Sequence, residues 1–326
     1  MKTNCVFQCA VWMNTHGINV YSSSADVVSL LSRGSFTQLI PEYKCSLQPS
    51  AAGYSLVVML SDELPFTLGV SPDRKTFTVT GSKDGLLAGH TLPHLIHSVL
   101  EIQRLEDGQF TMRAAAVAKN GQGFLLLGRP GAGKTSVSLW LCRKYGYSLI
   151  GNNIVLTGIE GDQAYLYGGE KVFRFRRASI LHYNTDLAYV FDGHATNLDD
   201  WMTTATLLPE QVDVTTTQGK IPIVAAFYLH LLNDATASLY LEPMNPLTSR
   251  LFLYETTSEY VRGVCSPILI GSNLLYGGFL PSLDTPAFHE RRVRFINWVI
   301  AHPTYQYISG SMEAICAHID SALRGY

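Results

Sequence analysis

Ser148-Leu149-Ile150-Gly151-Asn152-Asn153-Ile154-Val155-Leu156-Thr157 runs into Gly158-Ile159-Glu160-Gly161-Asp162 and returns as Ala164-Tyr165-Leu166-Tyr167. Ser148 to Ile150 has the short apolar run of a strand, Asn152-Asn153 breaks it, and Ile154 to Thr157 resumes it. Gly158 to Asp162 reads as a turn, so the return to Tyr167 closes a β-hairpin. That hairpin decides the fold because of what precedes it. Phe124 to Leu127 is an apolar strand, Gly128 to Thr135 a glycine-rich turn, and Thr135 to Tyr145 a helix with Gly146 where a left-handed residue ends it. A doubly wound α/β protein would continue with further strand–helix crossovers. A hairpin here predicts an α/β chain of the α+β kind, a mixed, largely antiparallel sheet on which the glycine-rich loop is carried.

The loop Gly128-Arg129-Pro130-Gly131-Ala132-Gly133-Lys134-Thr135 matches the P-loop pattern G-x-x-x-x-G-K-[ST] in full, in the strand-to-helix context the pattern needs. Its glycines allow backbone angles and close approach that a side chain would forbid. Successive N–H groups of such a turn, with the helix N-terminus behind them, form a nest for anions. Lys134 adds a positive charge for β- and γ-phosphates, and the Thr135 hydroxyl suits Mg²⁺. The expected nucleotide-binding residues are Gly128, Arg129, Pro130, Gly131, Ala132, Gly133, Lys134, Thr135 and Ser136. The expected partner is a nucleoside triphosphate, ATP or GTP, with Mg²⁺ as cofactor. No short motif in the chain separates adenine from guanine.

Outward from the loop, Lys119-Asn120-Gly121 reads as a hairpin turn between Arg113–Ala118 and Phe124–Leu127. Leu86 to Leu105 has the apolar face of a helix whose regular part starts near Thr91, after which Pro93 is tolerated. Residues 1–85 hold short β-type runs, giving a small β-rich N-terminal domain, with 86–112 as a connecting helix and 113–326 as the loop-bearing domain. Ile221 to Leu232 predicts a central strand, and Ala287–Ala301 and Ser311–Leu323 predict helices on either side of a short Tyr305–Ile308 strand. His90, His94 and His97 stand at i, i+4 and i+7 in the helical stretch; metal ligation and partly buried polar groups are the two readings. Cys5-x3-Cys9 is the closest cysteine pair, and six cysteines in 326 residues make no disulfide framework.

Net charge is −2, with 15% charged and 47% hydrophobic residues. That balance argues for a buried globule without a nucleic-acid or membrane partner. With no long apolar segment and no leader-like N-terminus, the expected location is cytoplasmic.

From Arg113 onward the order of features resembles the HPr kinase/phosphorylase superfamily, including its small-molecule and peptide kinase relatives. The likeness is carried by Arg113-Ala114-Ala115-Ala116-Val117, Gly123 to Thr135 and Gly146 to Leu156, then by the C-terminal order of helix, Tyr305-Gln306-Tyr307 strand and helix. The resemblance implies the core shared with phosphoenolpyruvate carboxykinases, and γ-phosphoryl transfer from ATP or GTP to a hydroxyl with Mg²⁺. Family members often oligomerise, so a homo-oligomer fits the resemblance. Two positions depart from the family. Arg113 stands where many members carry His, and Asn152-Asn153 replace an acidic pair, one member of which serves as base and helps organise Mg²⁺. An amide takes up no proton at neutral pH. Transfer through a loose transition state depends mainly on positioning and charge, so Asn152 could still orient a Mg²⁺-bound water or the acceptor. Glu160, Asp162 and Glu170 are the candidate replacement carboxylates. The first two fall at the hairpin tip, which favours Glu170 in Gly168-Gly169-Glu170-Lys171. The expected catalytic residues are therefore Lys134, Asn152, Asn153, Glu170 and Arg113, with Thr135 and Asn152 on Mg²⁺.

Phe173-Arg174-Phe175-Arg176-Arg177 alternates as on a strand, which puts Arg174 and Arg176 on one face. They could clamp an anionic group of the substrate or form a solvated basic edge. His182, Asp199 and Asp200 carry weaker signals, and Asp199-Asp200 could cap a helix bearing Trp201. The function expected is phosphoryl transfer to a hydroxyl of a small molecule such as a nucleoside, sugar or amino-acid-like metabolite. The alternatives are a Ser kinase acting on a protein or peptide, and a catalytically silent nucleotide-binding regulator, motivated by Asn152-Asn153.

Overall fold

In a computed structural model the described residues are 5–33, 42–48, 53–88, 91–193, 199–259, 261, 267–270, 275–279 and 282–322. The chain divides into two compact units. The first comprises Met1–Thr111 and Thr257–Arg291, the second Met112–Thr256 and Arg292–Tyr326. These boundaries differ from the expected division at 85 and 113. The helix expected as a connector belongs to the first unit, and a later segment returns to it.

The first unit holds β1 (Phe7–Met13), β2 (His16–Ser22), α1 (Ala25–Ser32), β3 (Tyr43–Ser46), β4 (Ser55–Leu60), β5 (Thr67–Val70), β6 (Thr76–Gly81), α2 (Lys83–Leu87) and α3 (Thr91–Glu106). The sheet order is β3-β1-β2-β4-β6-β5. Pairing is antiparallel at β1–β2, and parallel at β2–β4 and β4–β6. Ser24 and Ser82 cap the N-termini of α1 and α2 by accepting from Asp26 and Gly85 N–H groups. Helix α3 is held to β2 by Gln103 Nε2, which donates to the Gly17 carbonyl at 2.9 Å, and by His16 and Asp107 at 2.8 Å. Leu92, Leu95, Ile96, Val99 and Leu100 are buried along it. Glu101 and Arg104 are buried together, and Thr111 donates to Glu101 through both its N–H (2.7 Å) and its hydroxyl (2.6 Å). His97 is also buried, which holds its imidazole well below the ordinary value and therefore neutral. His90 lies outside the described residues. Among the described residues no group of three or more His, Cys, Asp or Glu side chains is placed to hold a metal ion.

The second unit carries β8 (Ala115–Lys119), β9 (Gln122–Leu127), α4 (Lys134–Tyr145), β10 (Ser148–Gly151), β11 (Val155–Glu160), β12 (Gln163–Gly169), β13 (Phe173–Arg176), α5 (Arg177–Tyr183), β14 (Thr204–Leu207), β15 (Ile221–Leu231), β16 (Tyr240–Pro243) and α6 (Pro246–Ser258), after the short β7 (Gln109–Met112) that precedes them. Strands β17 (Pro267–Ile270) and β18 (Leu275–Phe279) pair antiparallel and belong to the first unit, and α7 (Pro286–Ala301), β19 (Gln306–Gly310) and α8 (Met312–Ala322) follow them. The fold is mixed α+β with several largely antiparallel sheets. The expected hairpin after α4 is present as β11–β12, tightened to a turn at Gly161-Asp162. Asn120 and Gly121, with φ of 54° and 76°, make the tight turn between β8 and β9.

The expected central strand is β15. It pairs parallel with β9 on one side and with β19 on the other, and its first residues pair antiparallel with β12. The centre of this sheet is thus parallel, and its antiparallel character comes from β8–β9, β10–β8, β11–β12 and β16–β19. A strand covered on both faces reads as a continuous apolar run, as Phe124–Leu127 and Ala225–Phe227 do. Val137 and Leu141 of α4 and Ile315 and Ile319 of α8 share a core with Phe124, Leu126 and Phe227. That core holds the end of β9 and the start of α4, and so fixes the loop between them.

Candidate functional site

Helix α4 begins without a side-chain cap, unlike α1 and α2. Its first residue follows Gly133, whose φ of 90° is left-handed. A Cβ at Gly133 would stand 2.4 Å from that of Leu231, so glycine is required both by conformation and by space. The loop is anchored on β15 by the Leu231 N–H, which donates to the Ala132 carbonyl at 3.1 Å. Uncapped first-turn N–H groups have no partner within the helix and carry its positive end. Lys134 Nζ lies across the loop, donating to the carbonyls of Gly128 (2.8 Å) and Arg129 (3.0 Å). Burial, reinforced by the charge of Arg113, lowers the Lys134 ammonium to about 8. Arg113 itself is exposed.

Asn152 and Asn153 stand beside this loop in different circumstances. Asn152 is buried, and both ends of its amide are engaged. Its Nδ2 donates to the Val172 carbonyl at 3.0 Å, and its Oδ1 accepts from Thr135 Oγ1 at 3.1 Å. The Val172 carbonyl can only accept, so the amide orientation is determined and its oxygen faces Thr135. Asn153 has φ of 69°, the left-handed region that asparagine enters more readily than most residues. The break seen in the sequence is therefore a turn residue. Around it two backbones nearly touch: a Cβ at Gly169 would lie 2.6 Å from the Ile154 oxygen and 2.7 Å from Gly151 Cα. That approach explains the glycines before Glu170 and lets the Glu170 N–H reach Ile154 (2.8 Å) and the Asn152 N–H reach Glu170 (2.8 Å).

Glu170 is completely buried. Its Oε2 accepts from Asn153 Nδ2 at 3.1 Å and its Oε1 from Arg174 Nη2 at 2.7 Å. Burial pushes its carboxyl up to about 7, against the opposing pull of Arg174, the Asn153 hydrogen bond and Arg113. Glu160, by contrast, is at the exposed hairpin end, paired with Tyr167 (2.6 Å) and with Lys220.

No protein-family model matches the chain, and no curated protein compared with it is similar. Among solved structures, the HPr(Ser) kinase/phosphatase from Coxiella burnetii aligns with 66% of this chain and 94% of its own, at 11% identity and a TM-score of 0.29. A superposition this loose does not separate the present fold from other mixed α/β folds.

One cavity of about 600 Å³ joins these groups. Lys134, Thr135, Asn152, Asn153 and Arg174 line it, as do Arg176, His182, Tyr183, Asp200 and Trp201. Arg174 and Arg176 are exposed on β13, while Phe173 and Phe175, which alternate with them, are buried. Asp199-Asp200 does not cap a helix. Asp199 Oδ1 accepts from the Trp201 N–H at 2.8 Å in a turn, and the chain enters β14 at Thr204, whose pairing with β13 leaves no room for a helix. His182 stacks edge-on against Tyr183. Sequence reasoning missed Trp201 and Tyr183 as cavity residues. Trp201 is brought to Arg176 by the pairing of Arg176 with Thr204, across 27 intervening positions, which no spacing rule anticipates.

Thr135 and Asn152 fit a magnesium ion in donor type. The fixed Asn152 orientation turns an oxygen, not the NH₂ group, toward the Thr135 hydroxyl, and Mg²⁺ takes oxygen ligands. Neither donor is charged, so the phosphates would supply the negative charge. No described helix is long and apolar enough to cross a membrane.

Proposed function

We propose that this protein is a phosphotransferase of the HPr-kinase-like P-loop class, moving the γ-phosphoryl group of ATP or GTP to a hydroxyl of a small molecule. The observation that carries the reading is the convergence of the uncapped start of α4, Lys134, Thr135 and Asn152 on one cavity. The loop N–H groups and Lys134 bind the phosphates, and Thr135 and Asn152 hold Mg²⁺, which supplies charge stabilisation at the transferred group. The acceptor oxygen forms a bond to the γ-phosphorus as the bond to the β–γ bridging oxygen breaks. Arg113 adds positive charge from outside the loop. The hydroxyl proton leaves late in a loose transition state, passing to an oxygen of the transferred phosphoryl group. Glu170 is screened from the cavity by Asn153 and Arg174, and its first role is to position those two side chains.

Isothermal titration with MgATP and MgGTP, followed by phosphate transfer to a panel of hydroxyl metabolites and Ser peptides, tests this. Lys134→Ala is expected to weaken nucleotide binding by roughly ten- to hundredfold. Nucleotide binding without transfer to any acceptor would end the phosphotransferase reading. One observation favours the silent regulator: Asp200 is the only carboxylate among the described residues lining the cavity, and Arg177 holds it at 2.5 Å. Robust transfer by the natural sequence, unimproved by Asn153→Asp, would dismiss that second reading.

A further inference from the structure

Arg174 and Arg176 share one face of β13 but differ in what they meet. Arg174 is tied to Glu170 at 2.7 Å. Arg176 forms no ion pair among the described residues, and its guanidinium lies over the indole of Trp201, 5.7 Å from the ring centroid. Trp201 is half-exposed on the cavity and is set in place by Asp199, by the Arg177 N–H on the Thr203 carbonyl (2.9 Å) and by the Ala178 N–H on the Asp200 carbonyl (3.1 Å). The indole orients the guanidinium by a cation–π contact and leaves its charge uncompensated. A planar five-donor fork held this way is suited to a planar oxyanion. Lys134, in the P-loop, serves the polyphosphate. Asp200, in the same lining, is held by Arg177 at 2.5 Å and so leaves the Arg176 charge to the ligand.

We propose that Arg176 and Trp201 form a second anion site in this cavity, and that the acceptor carries a carboxylate close to the hydroxyl that receives phosphate. The division of labour replaces the symmetric two-arginine clamp: Arg174 serves Glu170, and Arg176 serves the ligand. The word acceptor rests on the phosphotransferase reading; the oxyanion site does not. A half-exposed indole could also stack on a nucleobase, so the test includes the nucleotide.

The experiment titrates protein labelled with ¹⁵N-arginine, with and without Mg²⁺ and a non-hydrolysable ATP analogue, using N-acetylserinate and N-acetylserinamide as probes. The Arg176 side-chain resonance is assigned by its loss in Arg176→Met. The expected result is saturable movement of that resonance by the carboxylate, with the amide weaker by roughly ten- to hundredfold. Arg176→Met should lose the preference, Arg176→Lys should keep part of it, and both should bind the nucleotide analogue within about twofold of the natural protein. Equal response to both probes, or none, overturns the proposal. So does a tenfold loss of nucleotide affinity in Arg176→Met, which would assign the pair to the nucleotide. Carboxylate binding without any phosphate transfer would leave this site standing and remove only the phosphotransferase reading.

Discussion

Two glutamate–arginine pairs bury a carboxylate among the described residues, and they do different things. Glu101 and Arg104, three residues apart on α3, are both enclosed, and Thr111 occupies the carboxylate oxygens as well. Glu170 and Arg174, four residues apart, put the glutamate just as deep but leave 39% of the arginine side chain exposed, on the wall of a cavity. The first pair is closed on itself. The second has one member that a ligand can reach. A buried carboxylate is thus no marker of a site by itself; what distinguishes the second pair is where its partner ends.

The strongest way to break that distinction is to remove each arginine in turn. Arg104→Met leaves Glu101 buried without its counter-ion and is expected to cost about 3–5 kcal/mol in urea unfolding. Arg174→Met should cost about 1 kcal/mol or less, since the lost pair is partly solvated and Glu170 can escape by binding a proton. Equal costs would show that both pairs are structural.

The pH dependence of stability sharpens the same contrast. The Glu170 carboxyl is raised from 4.5 to about 7 by burial. Because the folded value lies above the unfolded one, the associated stability is fully present below about pH 4.5 and is lost as pH rises through about 7. Glu170→Gln cannot ionise, so it should lack that loss. The stability of the natural protein minus that of the variant should fall by on the order of 1–3 kcal/mol between pH 5 and pH 8. A difference independent of pH would mean that Glu170 is already ionised across the range.

Asn152 and Asn153 separate next. Asn152→Asp removes the donor to the Val172 carbonyl and turns a carboxylate oxygen toward it, an expected cost of about 1–2 kcal/mol in thermal or urea unfolding. Asn153→Gly keeps the left-handed backbone and loses only the donor to Glu170 Oε2, which can bind a proton instead, so it should cost less, about 0.5–1 kcal/mol. If both substitutions were equally harmless, the amide of Asn152 would not be doing the structural work its two hydrogen bonds imply.

How much of this was legible in the sequence follows from how local each cause is. The loop, α4, the Gly146 stop and the β11–β12 hairpin are set by short-range chemistry, and each stands where the residues place it. The parallel pairings of β2 with β4 and of β9 with β15 join segments far apart in the chain, which alternation alone does not specify. Asn152-Asn153 read as two copies of one substitution. The structure separates them into a buried amide that Val172 and Thr135 use fully and a turn residue chosen for its backbone. Glu170 stood out through its glycines, and the close approach of Gly169 to Gly151 and Ile154 is the reason they are there. Its tie to Arg174 is local, four residues on, whereas the contact of Arg176 with Trp201 follows from the β13–β14 pairing and could not be read beforehand.

The smallest effect concerns the other charge of the cavity. Lys134 is lowered to about 8 by burial and by Arg113, so near pH 8 about half of the molecules carry a neutral amine there. A polyphosphate bound beside it favours the ammonium and raises that value again. Binding at pH 8 should therefore take up as much as about half a proton per nucleotide, and at pH 6.5 almost none from this group. Titration calorimetry in two buffers of different ionisation enthalpy reads the uptake directly. Lys134→Arg keeps its charge at both pH values and should abolish the difference while retaining part of the affinity. Unchanged uptake in that variant would move the proton to another group, with Glu170 the first to examine, because an approaching triphosphate also disfavours its ionised form. Combining Lys134→Arg with Glu170→Gln would then assign the uptake: disappearance only in the double variant means that both groups take up protons when the nucleotide binds.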